Sequence, residues 1–198
     1  SDVFDSGCYE MARKAYAELF AINVEDDYGR GISICDLENV DLSEAGARYL
    51  RSIYLDEKLG VRASVLLDAM IELDRLDFEK RPKLSDIINI SVEMLPEFSL
   101  FLTQWIAVTQ DNSKPQYDAW NREATMLLYG VPGMEKLAKN EGGKRPRIYL
   151  DWINALIAEK NYNAALKAIE TALKVLAPDK PICAAIADLM IFCGQKVN

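Results

Sequence analysis

The chain has 198 residues, half of them apolar, which is the composition of an ordinary globular protein and excludes a disordered or fibrous one. It contains no histidine, so its sequence lacks both the usual neutral-pH general base and the commonest metal ligand. Asp and Glu outnumber Lys and Arg by 31 to 23, and this acidic balance disfavours nucleic acid as a partner. Together these facts favour a binding function over catalysis.

Helical spacing of apolar residues extends through almost the whole sequence. No segment shows the sustained alternation of apolar and polar residues that is typical of half-buried strands. The sequence therefore predicts an all-α fold of about ten helices. In chain order, the predicted helical ranges are 8–22, 42–56, 61–76, 86–94, 96–108, 116–129, 132–139, 147–159, 162–177 and 180–193.

Residues that favour caps and turns mark several of the predicted helix ends. Ser85 is a favourable N-cap for the fourth helix, and Gly130 predicts the end of the sixth. The pair Gly142 and Gly143 is predicted to be the most flexible point of the chain. The longest stretch without helical periodicity is 23–40, and a loop of that length is typically either functional or poorly ordered.

The most regular part of the sequence lies near the end of the chain. There, the predicted helix over 162–177 has large and small side chains at the spacing of a helical repeat. The large ones are Tyr162, Ile169 and Leu173, and the small ones are Ala165 and Ala172. Residues 149–194 thus resemble tetratricopeptide repeats, in which small residues let paired helices pack closely. The resemblance implies an α-solenoid-like array of antiparallel helix pairs. It also implies that Ala165 and Ala172 face the helix over 147–159.

The same resemblance leaves half a repeat at each end of the chain. The helix over 8–22 matches the second helix of a repeat, and the helix over 180–193 matches the first helix of another. Half a repeat cannot cover its own apolar stripe, so we expect exposed apolar side chains at the ends that contact a partner. The predicted partner-binding residues are Tyr9, Tyr16, Phe20, Ile186, Met190 and Phe192.

The predicted domain organisation is a single all-α domain over 1–198. Within it we expect an irregular helical array over 1–140 and tetratricopeptide-like repeats over 147–198. Because the chain starts at Ser1 without Met, we also expect it to be a fragment of a longer protein.

The functional hypothesis is a non-catalytic helical scaffold that binds a protein, a peptide or the remaining part of a longer parent chain. The alternative is an all-α enzyme of the hydrolase or glycosidase type, because that chemistry requires only two carboxylates at a set separation. A shallow apolar groove would favour the scaffold, and a deep pocket with converging carboxylates would favour the enzyme.

Cofactors, metals and membranes are not expected. The four cysteines, Cys8, Cys35, Cys183 and Cys193, are scattered and lack a neighbouring histidine, so they predict buried free thiols in the cytoplasm rather than a zinc site. No run approaches the ~18 apolar residues of a membrane span.

One basic stretch is a candidate contact for an anionic partner. Its charged side chains surround Glu141 and are Lys136, Lys139, Lys144, Arg145 and Arg147. A solvated helix end is the other interpretation of this stretch.

Overall fold

The protein is described by a computed structural model that covers residues 2–21, 42–75, 82–110 and 114–197. These residues form ten helices and no strand, which confirms the predicted all-α fold. The helices are α1 (Asp2–Asp5), α2 (Tyr9–Ala21), α3 (Leu42–Asp56), α4 (Leu59–Arg75), α5 (Leu84–Asn89), α6 (Phe98–Thr109), α7 (Pro115–Glu141), α8 (Arg147–Ala158), α9 (Tyr162–Val175) and α10 (Pro181–Val197). The predicted loop over 23–40 lies outside the described residues.

The helix α7 covers two of the predicted helices. It extends from Pro115 to Glu141 but consists of two helical stretches, because Gly130 has a φ of 60° and a ψ of −154° and Pro132 has no N–H to donate. This backbone conformation is essentially restricted to glycine, so the helix kinks at this residue. The predicted break at Gly130 is therefore confirmed. The short helix α1, in contrast, was not predicted.

The helix α5 is shorter than predicted and starts earlier. It spans Leu84–Asn89, so the predicted N-cap Ser85 lies inside its first turn. The backbone N–H of Lys83 donates to Oδ2 of Asp86 at 2.9 Å. A carboxylate is a stronger acceptor for an N-terminal N–H group than a hydroxyl oxygen, and the helix accordingly begins two residues earlier than the serine indicated.

The chain divides into two compact units, Ser1–Asn112 and Ser113–Asn198. The predicted change from an irregular array over 1–140 to tetratricopeptide-like repeats over 147–198 is a separate statement and stays a prediction. In the first unit α3 is central and packs against α2, α4 and α5, while α6 packs against α4. The largest buried side chains of that unit include Leu50, Tyr54 and Trp105. The prediction of one domain over 1–198 stays a prediction.

The second unit is an array in which each helix packs against the next. The contacts run from α7 to α8, α9 and α10 in turn, and α10 also reaches back to α8. Its core is a cluster of buried residues that includes Met134, Tyr149 and Ile169. Ala165 and Ala172 are both fully buried in this cluster. Small side chains at these positions allow the neighbouring helices to approach closely.

The turn between α8 and α9 uses a left-handed residue. Lys160 has a φ of 58°, which brings the chain back over α8. The side chain of Asn161 then accepts a hydrogen bond from the backbone N–H of Ala164 at 3.3 Å and caps α9. An N-cap of this kind stabilises a helix by about 1 kcal/mol.

The first glycine of the pair after α7 is buried and closely packed, whereas the second is exposed. A Cβ atom built on Gly142 would lie 2.4 Å from Cε2 of Tyr149. Tyr149 is itself buried, so its ring has no room to move away. Gly142 thus allows the start of α8 to pack directly on the end of α7.

Candidate binding groove

The predicted contact residues at the start of the chain are largely covered within the first unit. Tyr9 and Tyr16 are half-buried, and the ring of Tyr9 lies 5.8 Å from that of Phe4 in an edge-on contact. Phe20 is buried, and its ring lies 5.6 Å from that of Tyr49. The expectation that Phe20 is exposed was wrong because α3 supplies the apolar cover that half a repeat lacks.

Of the predicted contact residues at the end of the chain, one is buried and two are exposed. Ile186 is fully buried in the core of the second unit, so it is not available to a partner. Met190 and Phe192 are exposed, as is their neighbour Ile191. The helix α10 therefore carries both buried and exposed apolar side chains, and the exposed ring of Phe192 lies 6.2 Å from that of Tyr162 on α9.

The described residues contain no group of three or more cysteine and acidic side chains placed to hold a metal ion. Cys183 and Cys193 are buried free thiols, whereas Cys8 is exposed, which corrects the expectation that it is buried. The fourth cysteine, Cys35, lies outside the described residues. Among the helices described, none combines the length and apolarity needed to cross a bilayer.

A groove of about 590 Å³ runs beside α8 and the start of α10 in the second unit. We call it the α8–α10 groove, and the residues that line it are Arg122, Pro146, Arg147, Leu150, Asp151, Asn154, Lys180, Pro181, Ile182 and Ala185. Its volume lies within the range of protein ligand sites. The groove combines an apolar lining with charged and amide groups.

Helical geometry explains why these particular residues share the groove. Those from α8 follow the spacing i, i+3, i+4, i+7, which places them on one face of a helix. On the other side, Pro181 is the first residue of α10, a position that suits proline because the N–H group it lacks would have no partner there. The first turns of α8 and α10 therefore both border the groove.

One end of the groove is fixed by a network of charged side chains. Arg122 is almost buried and pairs with Asp118, at 3.0 Å from Nε to Oδ2, and with Asp151. Arg145 pairs with the other oxygen of Asp118 at 3.0 Å, and also with Glu141. This network joins α7, α8 and the turn between them.

Asp151 is the acidic group of the groove. Burial raises its pKa above the ordinary value of 3.8, and the nearby guanidinium of Arg122 opposes that rise. The carboxylate of Asp151 forms its ion pair with Arg122. Of the other cations of the groove, Arg147 also opposes the rise of this pKa, without forming an ion pair within 4 Å.

Two of those cations have no acidic partner within 4 Å among the described residues. Arg147 and Lys180 are both exposed and line the groove from α8 and from the start of α10. The amide of Asn154 is exposed beside them. Two partly buried apolar side chains, Leu150 and Ile182, also line the groove. The groove therefore offers positive charge, amide hydrogen bonding and apolar contact together.

The sequence had indicated only part of this groove. Arg147 belongs to the basic stretch that we considered for an anionic partner, but its neighbour Arg145 is held in the ion network. Asn154 and Lys180 were missed. The helical spacing from Arg147 to Asn154 is a signal present in the sequence, whereas nothing local pairs Lys180 with α8, because that contact depends on the packing of helices separated by α9.

Comparisons with known proteins give no further assignment, since no family model matches the chain and neither a curated protein nor a solved structure is significantly similar to it.

Proposed function

We propose that the protein is a non-catalytic helical scaffold that binds a segment of another protein in the α8–α10 groove. The observation that carries this proposal is the pairing of an apolar lining with two cations, Arg147 and Lys180, that have no acidic partner within 4 Å in the described part of the chain. The resemblance of residues 149–194 to tetratricopeptide repeats agrees with such a role, because stacked helix pairs form elongated binding surfaces.

The charges of the groove favour an acidic partner with apolar side chains. Both cations are exposed, so a peptide carboxylate can reach them without displacing an existing ion pair. The first turns of α8 and α10 add partial positive charge at the same place. Leu150 and Ile182 then supply contacts for apolar side chains of the peptide. We therefore infer an extended or helical segment in which acidic and apolar residues alternate.

The arrangement of acidic groups supports binding rather than hydrolysis. Asp151 lines the groove and pairs with Arg122, and Asp118 behind it pairs with both Arg122 and Arg145. A glycosidase needs one carboxylic acid to give a proton and a second carboxylate to act as base or nucleophile. Asp118 is held by two guanidinium groups and is poorly suited to the first role, and Asp151 is the one acidic residue among those that line the groove, so the second carboxylate is missing there.

Fluorescence anisotropy with a labelled peptide of alternating Glu and Leu residues tests the proposal. The double variant R147E/K180E reverses both free cations, and each new acid lies at a helix N-terminus, where negative charge is favourable, so the fold should be kept. We expect the variant to bind the peptide at least about tenfold more weakly than the unchanged protein, with a corresponding loss of salt dependence.

The matched control is K167E/K174E, which makes the same change of charge on exposed positions of α9 outside the groove. It should leave the affinity nearly unchanged. Peptides of alternating Glu and Ser or of Lys and Leu should both bind more weakly than the Glu-Leu peptide. Absence of binding by the unchanged protein, or equal loss in the groove variant and the control, would refute the proposal.

A further inference from the structure

A second unusual feature lies in the first unit, in the loop between α5 and α6. Val92 and Met94 in this loop are 102% and 91% exposed, more than any other large apolar side chain described. We call residues 90–97 the 90–97 loop. Exposed apolar side chains are common on proteins, but two almost fully exposed ones on a short, well-held loop are a candidate contact point.

Buried side chains hold this loop in place from beneath. Arg51 is 1% exposed, and its guanidinium donates to the carbonyl oxygen of Ile87 at 2.9 Å and to that of Glu93 at 2.5 Å. Tyr54, also buried, donates its hydroxyl to the carbonyl oxygen of Pro96 at 2.6 Å. The loop is thus fixed before any partner arrives, which reduces the entropy lost on binding.

The charge next to the two apolar side chains is negative. Glu93 lies between them in the sequence and is exposed, with one carboxylate oxygen 3.5 Å from the hydroxyl of Tyr9. Glu97 closes the loop and is exposed, but its Oε2 pairs with Nη1 of the buried Arg62 at 3.4 Å. Arg51 is buried and donates to carbonyl groups of the loop. The loop therefore presents one acidic side chain, Glu93, between two exposed apolar ones.

The α8–α10 groove has the complementary chemistry. It combines the exposed cations Arg147 and Lys180 with apolar side chains. The same opposition extends to the whole units: residues 1–112 hold 22 acidic and 11 basic residues, whereas residues 113–198 hold 9 acidic and 12 basic ones. Two copies of the chain thus attract each other when the first unit of one meets the second unit of the other.

We propose that the 90–97 loop of one copy docks in the α8–α10 groove of a second copy. This inference rests on the proposed function of the groove and names its partner. Glu93 would lie against Lys180, and Val92 and Met94 would contact the apolar lining. The contact joins two different surfaces, so a pair joined by it keeps one free loop and one free groove. Association of this kind closes into rings, of which the reciprocal dimer is the smallest, or continues into chains.

Sedimentation velocity over a range of protein concentrations tests the contact. The unchanged protein should form dimers or larger species as concentration rises, and added salt should weaken them. Two single variants, E93K and K180E, should each associate about tenfold more weakly, because each places like charges in the contact. An equal mixture of the two should associate again, since the basic loop of one then meets the acidic groove of the other.

Variants in which serine replaces apolar residues test the contact independently. V92S/M94S should reduce association, while M11S/V61S, which changes exposed apolar residues elsewhere in the first unit, should not. An unchanged protein that stays monomeric at every concentration, or a mixture of E93K and K180E that fails to recover, would overturn this inference. If the Glu-Leu peptide still binds the groove in that case, the proposed function stands. If the peptide also fails to bind, both are wrong.

Discussion

At the scale of single residues, Lys160 has a backbone conformation that residues with a Cβ rarely adopt. Glycine reaches a φ of 58° without steric conflict, so K160G should raise the free energy of unfolding by about 0.5–1 kcal/mol. Chemical denaturation monitored by circular dichroism measures the change.

Its matched control is K167G, since Lys167 is an exposed lysine in the middle of α9. Glycine there should lower stability by about 1 kcal/mol. If K160G and K167G changed the free energy of unfolding in the same direction, the left-handed turn between α8 and α9 would be contradicted.

The close approach at Gly142 gives a second residue-scale prediction. G142A places a methyl group against the buried ring of Tyr149, and we expect a loss of roughly 1–3 kcal/mol in the free energy of unfolding. G143A is the natural comparison, because a Cβ at Gly143 would meet only Cγ1 of Val175, at 3.4 Å. Thermal melts of the two variants should differ clearly, and equal midpoints would show that the turn is not packed as described.

The raised pKa of Asp151 makes stability depend on pH in a defined direction. The folded state holds the proton of this carboxyl group more tightly than the unfolded state does, because burial disfavours the charge. The stabilisation from Asp151 is therefore fully present below the ordinary pKa of 3.8 and is lost as pH rises through the raised value. The variant D151N should not lose stability in this way as pH rises. Urea denaturation of both proteins across acidic pH measures the difference, and a free energy of unfolding that rises with pH in the unchanged protein relative to D151N would contradict it.

At the scale of elements, the 90–97 loop is held by buried side chains from α3, of which Arg51 makes two of the hydrogen bonds. R51M removes two hydrogen bonds from a charged donor and leaves the carbonyl groups of Ile87 and Glu93 without that partner. We expect a loss of roughly 2–4 kcal/mol in the free energy of unfolding. R75M, at an exposed position of α4, should change stability by less than about 0.5 kcal/mol. Similar losses in both variants would show that Arg51 does not hold the loop.

Helix positions were predictable from the sequence because apolar periodicity is a local property. The helix predicted over 42–56 has the bounds of α3, and the break at Gly130 follows from the conformational range of glycine. The role of Gly142 was not predictable in the same way. Its small size is needed for contact with Tyr149, and the sequence alone does not distinguish a glycine in a flexible turn from one under a packed ring.

At the scale of the whole molecule, exposure of the chain ends depended on packing that the sequence does not show. Phe20 and Ile186 are covered by neighbouring helices, whereas Met190 and Phe192 are exposed. The residues of the candidate site also could not all be predicted, because some of them come together only through tertiary packing. Arg147 was recognised through its basic neighbours, but Lys180 joins it only because α10 packs back on α8 across one intervening helix. Such a contact is set by tertiary structure and leaves no local spacing signal.

The central claim is that the α8–α10 groove binds an acidic, apolar segment of protein. Nuclear magnetic resonance of the ¹⁵N-labelled chain, titrated with the Glu-Leu peptide, tests it most directly because amide shifts report where the peptide lies. The account predicts saturable shifts concentrated at residues 147–154 and 180–185, and their loss in R147E/K180E. Shifts that are absent, or that concentrate on the outer face of α9 and survive the double substitution, would contradict it.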